Sequence, residues 1–185
     1  METNELFTDF EQGSFKNTDQ KTDMALSGKG FFTVQTPNGE RYTRNGNFLR
    51  GKEGILETKE GYPVLGENGI IRVPDTNFIV NEDGMIYTAE DNELIDRIKV
   101  VRFDNERYLE KMGSSLYNKT DITGEPYIAE GDERPKFLQG FTETSNVNIV
   151  NEMVQMIVAQ RAYEFNSKAI QTSDSMLSTA VNLKR

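Results

Sequence analysis

Between Asn146 and Asn182 the chain reads NVNIVNEMVQMIVAQRAYEFNSKAIQTSDSMLSTAVN, without a proline or a glycine. An apolar residue returns every seven positions, at Ile149, Met156, Tyr163, Ile170 and Leu177. Ala162, Ala169 and Met176 stand one place before that row, and Ala159 and Ala180 three places after it. Such spacing lays one stripe along a continuous α-helix. At 1.5 Å per residue the helix would run about 55 Å, longer than a body of this size is wide. Most of the stripe must therefore be covered by something other than the preceding chain. The neighbouring row, Met153, Gln160, Ser167, Asp174 and Val181, is mixed in polarity. That argues against a strict two-stranded zipper and for a helix packed against several neighbours. Polar residues in such a seam can fix register at some cost in stability. The contact residues this predicts are Ile149, Met153, Met156, Tyr163, Ile170 and Leu177. Thr144, Ser145, Asn146 and Asn148 are all suitable N-caps, and Glu152 complements the helix dipole. Glu164 and Lys168, spaced i to i+4, are expected to pair on the exposed face.

Upstream the period changes. From Asp23, short apolar runs alternate with turn pairs: Pro37-Asn38-Gly39, Asn45-Gly46, Gly54, Gly61, Asn68-Gly69 and Asp83-Gly84. Asn-Gly and Asp-Gly supply positive φ at low cost and favour tight hairpins. The predicted fold is mainly β, a body of short hairpins followed by one long C-terminal α-helix. Residues 1–22 read as an extended lead-in pinned by Phe7, Phe10 and Phe15. Residues 23–140 read as the β-rich body, divisible into 23–74 and 75–140, and residues 141–185 as an assembly helix. Within the body, Leu94 to Phe103 reads as one longer strand because of its β-branched content. From Asp104 to Gly140 the pattern is irregular, with Tyr108, Leu109, Leu116 and Tyr117 as anchors and Ala129–Pro135 as a solvated loop. Phe137 to Phe141 is a last strand, expected to return toward the lead-in.

Composition narrows the chemistry. Thirty acidic residues against 21 basic ones give a net charge of −9 and a pI near 4.7. An acidic surface repels phosphate backbones, so no nucleic-acid partner is expected. Almost all of that charge lies in the body; the helix is nearly neutral, which suits burial among other helices. The chain has no Cys, His or Trp. Thiol chemistry, Ser-His-Asp arrangements and His-ligated zinc are thereby excluded. Oxygen-ligated cations, carboxylate pairs and a Ser-Lys dyad are what remains. Gly28-Lys29-Gly30 precedes a strand rather than the helix of a phosphate loop, and reads as a turn. Asn81-Glu82-Asp83-Gly84 lacks the spaced acids of a calcium loop and also reads as a turn. Ser27 and Lys29 are too close in sequence for a nucleophilic dyad, and no carboxylate pair is marked out. The expectation is no enzyme, no cofactor, no metal and no small-molecule substrate. No run approaches the ~18 apolar residues of a membrane span, and METNELFTDFEQG is too polar for a cleaved signal peptide. By those rules alone the protein would be cytosolic. The residues leave a second reading open, a β-rich binding module that homo-oligomerises through its helix.

The tail SNVNIVNEMVQMIVAQRAYEFNSKAIQTSDSML resembles the C-terminal signature of the bacterial flagellar rod and hook proteins. The diagnostic pieces are Ser145-Asn146-Val147, Met156-Ile157, Gln160-Arg161-Ala162-Tyr163-Glu164 and Asn166-Ser167-Lys168. Three further motifs of that family follow in order: GxGFF at Gly28–Phe32, YTRxGxF at Tyr42–Phe48 and GxLxTxxGYPVLG at Gly54–Gly66. Residues 12–66 and 137–182 carry the resemblance, and QRAYEFNSKAIQTSDSML favours the distal rod branch. The resemblance implies an axial structural subunit that assembles with itself and with other rod and hook subunits to transmit torque. It also implies a place in the flagellar basal body, reached through the type III apparatus without a cleaved signal, in contrast to the cytosol. Members of this family open with a helix carrying a motif of the form NNLANxxTxGFK, which residues 1–22 do not contain. The C-terminal helix is accordingly expected to lack its usual helical partner within this chain.

Overall fold

Residues 8–74 and 77–182 are described by the structure, a computed structural model. Phe7, Asp75, Thr76, Lys184 and Arg185 lie outside the described residues, so the lead-in's first aromatic and the predicted division at 74/75 have no structural counterpart here. The strands are β1 (Phe15–Asn17), β2 (Met24–Ser27), β3 (Phe31–Thr36), β4 (Gly39–Thr43), β5 (Leu49–Arg50) and β6 (Leu56–Glu57). They continue with β7 (Leu65–Gly66), β8 (Gly69–Ile70), β9 (Phe78–Val80), β10 (Met85–Thr88), β11 (Leu94–Arg97) and β12 (Val100–Arg102). The last are β13 (Glu110–Gly113), β14 (Leu116–Asn118), β15 (Tyr127–Ile128), β16 (Lys136–Gln139) and β17 (Phe141–Glu143), before helix α1 (Ile149–Asn182). The fold is mainly β with one long helix. Two compact units are distinguished, residues 1–146 and residues 147–185.

The six-stranded antiparallel sheet β13-β14-β4-β3-β12-β15 is the spine of the first unit. Its centre is β3, which is buried on both faces. Period-two alternation sends Phe32 and Val34 to one side and Phe31 and Thr33 to the other. Opposite them, Val100 faces Phe32 and Val101 faces Phe31. The sheet therefore divides two cores. The larger is filled by Met24, Leu26, Phe48, Leu56, Ile71, Phe78, Ile86, Ile98 and Phe137, among others. The smaller is aromatic: Phe31, Tyr42, Phe103 and Tyr117 with Val101 and Leu109. Phe10 seals it, its ring 5.1 Å from both Phe31 and Tyr117 in edge-to-face contact. The lead-in is thus pinned through Phe10, whereas Phe15 is left exposed on β1.

The Pro37-Asn38, Glu67-Asn68 and Glu82-Asp83 turns close the β3–β4, β7–β8 and β9–β10 hairpins as their turn residues predict. Gly84 shows why a glycine is needed at the last of these. It has φ +76°, and a Cβ there would stand 2.5 Å from the Phe137 ring.

Four expectations are corrected. The run Leu94–Phe103 is not one strand. It breaks at Ile98 and Lys99, whose amides donate to the carbonyls of Gly84 and Leu65. This lets β11 join the three-stranded sheet β11-β10-β9 while β12 joins the spine. The stretch after Asp104 contains the β13–β14 hairpin, turned by Ser114 and Ser115 at φ 47° and 58°. Two serines carry no Asn-Gly signal, and the positive φ is imposed by the pairing on either side. Tyr108 is no anchor, being 41% exposed, although Leu109, Leu116 and Tyr117 are buried. Finally, Ala129–Pro135 is solvated only in its middle, where Glu130, Gly131 and Glu133 are exposed, and not at its ends. Ala129 is fully buried, and Arg134 lies beneath the surface, donating to the carbonyls of Asp83, Ala129 and Ile98. A guanidinium with five donors can satisfy such a set of carbonyls, which a charge-based reading of the loop overlooks.

The last strand does return to the lead-in, in two steps. β16 pairs with β2; at Gly140 (φ +79°) the chain changes direction, and β17 pairs with β1.

Candidate assembly surface

Helix α1 starts where its capping chemistry dictates. Of the four candidate caps Asn148 is used: its Oδ1 accepts from the amides of Val150 (3.1 Å) and Asn151 (3.3 Å). Glu152 sits in the first turn, near the positive end of the dipole. No glycine or proline interrupts the 34 residues that follow, and at 1.5 Å each they extend about 51 Å. On the exposed side Glu164 takes a hydrogen bond from Gln160 (3.2 Å) and forms no ion pair with Lys168, contrary to expectation. Lys168 contributes its carbonyl to Thr172 Oγ1 instead.

The predicted contact row is brought onto one side of the helix. Ile149, Met156, Tyr163, Ile170 and Leu177 are between 64% and 76% exposed within this chain, and Met153 is 57% exposed. Sequence reasoning missed a second apolar face. Val150, Val154, Val158 and Phe165 are also more than half exposed. At 100° per residue they lie roughly 100–160° around the axis from the first row. The signal was present in the i, i+4, i+8 spacing of Val150, Val154 and Val158, but the seven-residue repeat of the first row masked it. Between the faces run Glu164 and Gln171 with Ile157 on the same row, and Arg161 and Lys168 border the valines of the second face. A solvated surface helix carries one apolar stripe; one that is apolar on two sides is suited to burial between neighbours.

The body offers no comparable chemistry. Its principal groove is lined by Gln35, Glu40, Glu67, Arg97, Lys99 and Arg134. The cations there are already answered, Lys99 by Glu40 at 3.0 Å and Arg134 by Glu67 at 3.4 Å. Burial, together with the neighbouring Arg97, lowers the Arg134 pKa. Among the described residues no group of three or more acidic side chains is placed to hold a metal ion. Lys29 reaches across its turn to Glu106, and Asp83 closes a hairpin. No described helix is long and apolar enough to cross a membrane.

Comparison with known proteins bears on both units. Residues 138–183 match the family described as "Flagellar basal body rod FlgEFG protein C-terminal". Residues 25–88 match "Flagellar hook protein FlgE/F/G D1 domain". The flagellar basal-body rod protein FlgG of Borreliella burgdorferi is 42% identical over 184 residues, covering 95% of this chain and 69% of that protein. The FlgG of Buchnera aphidicola subsp. Schizaphis graminum is 39% identical over 174 residues, 91% of this chain and 67% of its own length. The FlgG of Bacillus subtilis is 39% identical over 179 residues, 92% and 68% respectively. With a bare two-faced helix at one end, a hook-type body at the other and relatives this close across both, the chain belongs to the flagellar basal-body rod and hook protein family.

Proposed function

We propose that α1 is the assembly element of this chain and that both of its apolar faces are covered by other subunits. The family makes the chain a structural subunit of the flagellar rod and places it in the basal body. The observation that carries the finer reading is the pair of exposed apolar faces on one nearly neutral helix. A small closed oligomer would need one such face; two support an extended array in which each helix lies between neighbours. Partners are further copies of this chain and other rod or hook subunits. The role is mechanical, with no catalytic step: packed helices resist shear, and the β-body sets lateral spacing.

The absence of native cysteine offers a direct test. Single cysteines at Met156 and Ile170 on the first face, or at Val154 and Phe165 on the second, should form disulfide-linked subunits in isolated basal bodies. Cysteines at Glu164 and Gln171 should not. Equal cross-linking at all six positions would overturn the reading.

A further inference from the structure

Two of the family motifs, GKGFF and YTRNGNF, meet in the body through Arg44, which donates to the Gly30 carbonyl. Arg44 belongs to YTRNGNF, just after β4, and Glu143 is the last residue of β17. Arg44 Nε donates to Glu143 Oε2 at 2.7 Å, and the side chains are only 19% and 10% exposed. The same guanidinium donates from Nη1 to the Gly30 carbonyl (2.7 Å) and from Nη2 to the Leu26 carbonyl (3.1 Å). The other oxygen of Glu143 accepts the Gly13 amide at 3.0 Å. Gln12 completes the joint, donating to Leu26 O (2.6 Å) and accepting from the Gly28 amide (3.1 Å). One arginine therefore ties together the lead-in, the end of β2, the Gly28-Lys29-Gly30 turn and the strand by which the chain leaves the body.

The joint is sterically exact on the lead-in side. A Cβ at Gly13 would stand 1.8 Å from the Thr144 carbonyl oxygen, and Thr144 donates through its amide to Ser14 O at 2.8 Å. Arg44 is itself held in place. Thr43 Oγ1 donates to Ser115 O and accepts the Asn45 amide, and the Met24 amide donates to Gly46 O. A planar fork with fixed donor directions can serve a carboxylate and two carbonyls at once; a lysine ammonium on a flexible stem cannot hold the same three in register.

We propose that Arg44 is a positioning residue for assembly. It sets where the paired ends of the body, Gly13 on the way in and Glu143 on the way out, stand on the core. It thereby fixes the footing from which the chain continues to α1. This rests on the assembly reading of α1, and the two can fail separately.

The test uses Arg44→Lys and Glu143→Gln in the full chain. Amide hydrogen exchange at Gly13 and Thr144, whose amides are bonded to Glu143 and Ser14, should accelerate about tenfold or more in Arg44→Lys, through local opening, while Thr33 and Val34 keep their protection. Glu143→Gln turns one of the two acceptor oxygens into an NH2 donor facing Arg44 Nε or the Gly13 amide, and should accelerate the same amides. Cross-linking through cysteine at Met156 should fall several-fold in the Arg44→Lys background although the thermal midpoint of the body is preserved. Parent-like exchange at Gly13 and Thr144 in Arg44→Lys would overturn the proposal, as would acceleration spread evenly over the core. Since exchange is read on the unassembled chain, it stands whether or not α1 is the assembly element. A failure of that reading would show instead as uniform cross-linking in the unaltered Arg44 background.

Discussion

Replacing Ile170 and Leu177 together by aspartate separates assembly from folding. Both residues are 64% exposed within the chain, so roughly two thirds of their surface remains to be covered by a neighbour. Fully burying an Ile or Leu side chain stabilises by about 1.5–3 kcal/mol, which leaves about 1–2 kcal/mol per residue for assembly. An aspartate forfeits that term and, if covered, brings an unpaired carboxylate out of water at a further cost of about 1–3 kcal/mol. Two substitutions should therefore weaken each subunit contact by at least about 3 kcal/mol, roughly a hundredfold in association constant. The isolated chain should barely respond. Exposed helix substitutions are worth about 0.5 kcal/mol, with a helix-propensity change of the same order. Analytical ultracentrifugation across a concentration series would read association, thermal unfolding of the body would read folding, and swimming with the altered chromosomal gene would read assembly in the cell. Gln171→Asp with Ser178→Asp adds the same charge between the faces and is the control. Parent-like association and swimming in the double variant, at normal chain levels, would refute the reasoning.

Two further predictions concern the body. Thr33 Oγ1 is buried on the aromatic side of β3 with no hydrogen-bond partner; replacing it by the near-isosteric valine removes that orphan and should raise stability by about 1 kcal/mol in denaturant unfolding, a loss of similar size counting against it. Burial, aided by nearby Glu40, pushes the Tyr42 phenol up to about 12 from 10.0, and burial raises Tyr117 as well. The folded state then holds protons that the unfolded state releases above pH 10.0, so this stability is full below pH 10.0 and lost as pH rises toward about 12. A spectrophotometric phenol titration should show two of the seven tyrosines ionising late and together with unfolding, and simple titration of all seven near pH 10.0 would contradict this.

Local chemistry made much of this molecule legible in advance. The turn pairs at Asn38, Asn68 and Asp83 are hairpin turns because their residues suit the backbone there, whereas Asn45-Gly46 has the same composition and closes no hairpin, since β4 pairs with β14 and Asn47 with Asp23. Helix α1 follows from its period, its lack of breakers and the Asn148 cap. What local chemistry could not reach were the features that depend on which segments meet. Phe31 and Phe32 look alike in sequence, yet the two-sided burial of β3 sends them into different cores. Leu94–Phe103 has the composition of one strand, and only the demand of two sheets for pairing partners splits it. Ser114 and Ser115 turn a hairpin because the strands beside them pair.

The same division runs through the functional surfaces. A helix longer than its own body could hide was determined by the order of residues from Ile149 to Leu177, since spacing on a helix is fixed by 3.6 residues per turn. The Arg44–Glu143 joint was decided by tertiary structure alone. Its two partners are 99 positions apart in sequence, and a guanidinium acquires its role only from the carboxylate and carbonyls that folding gathers around it.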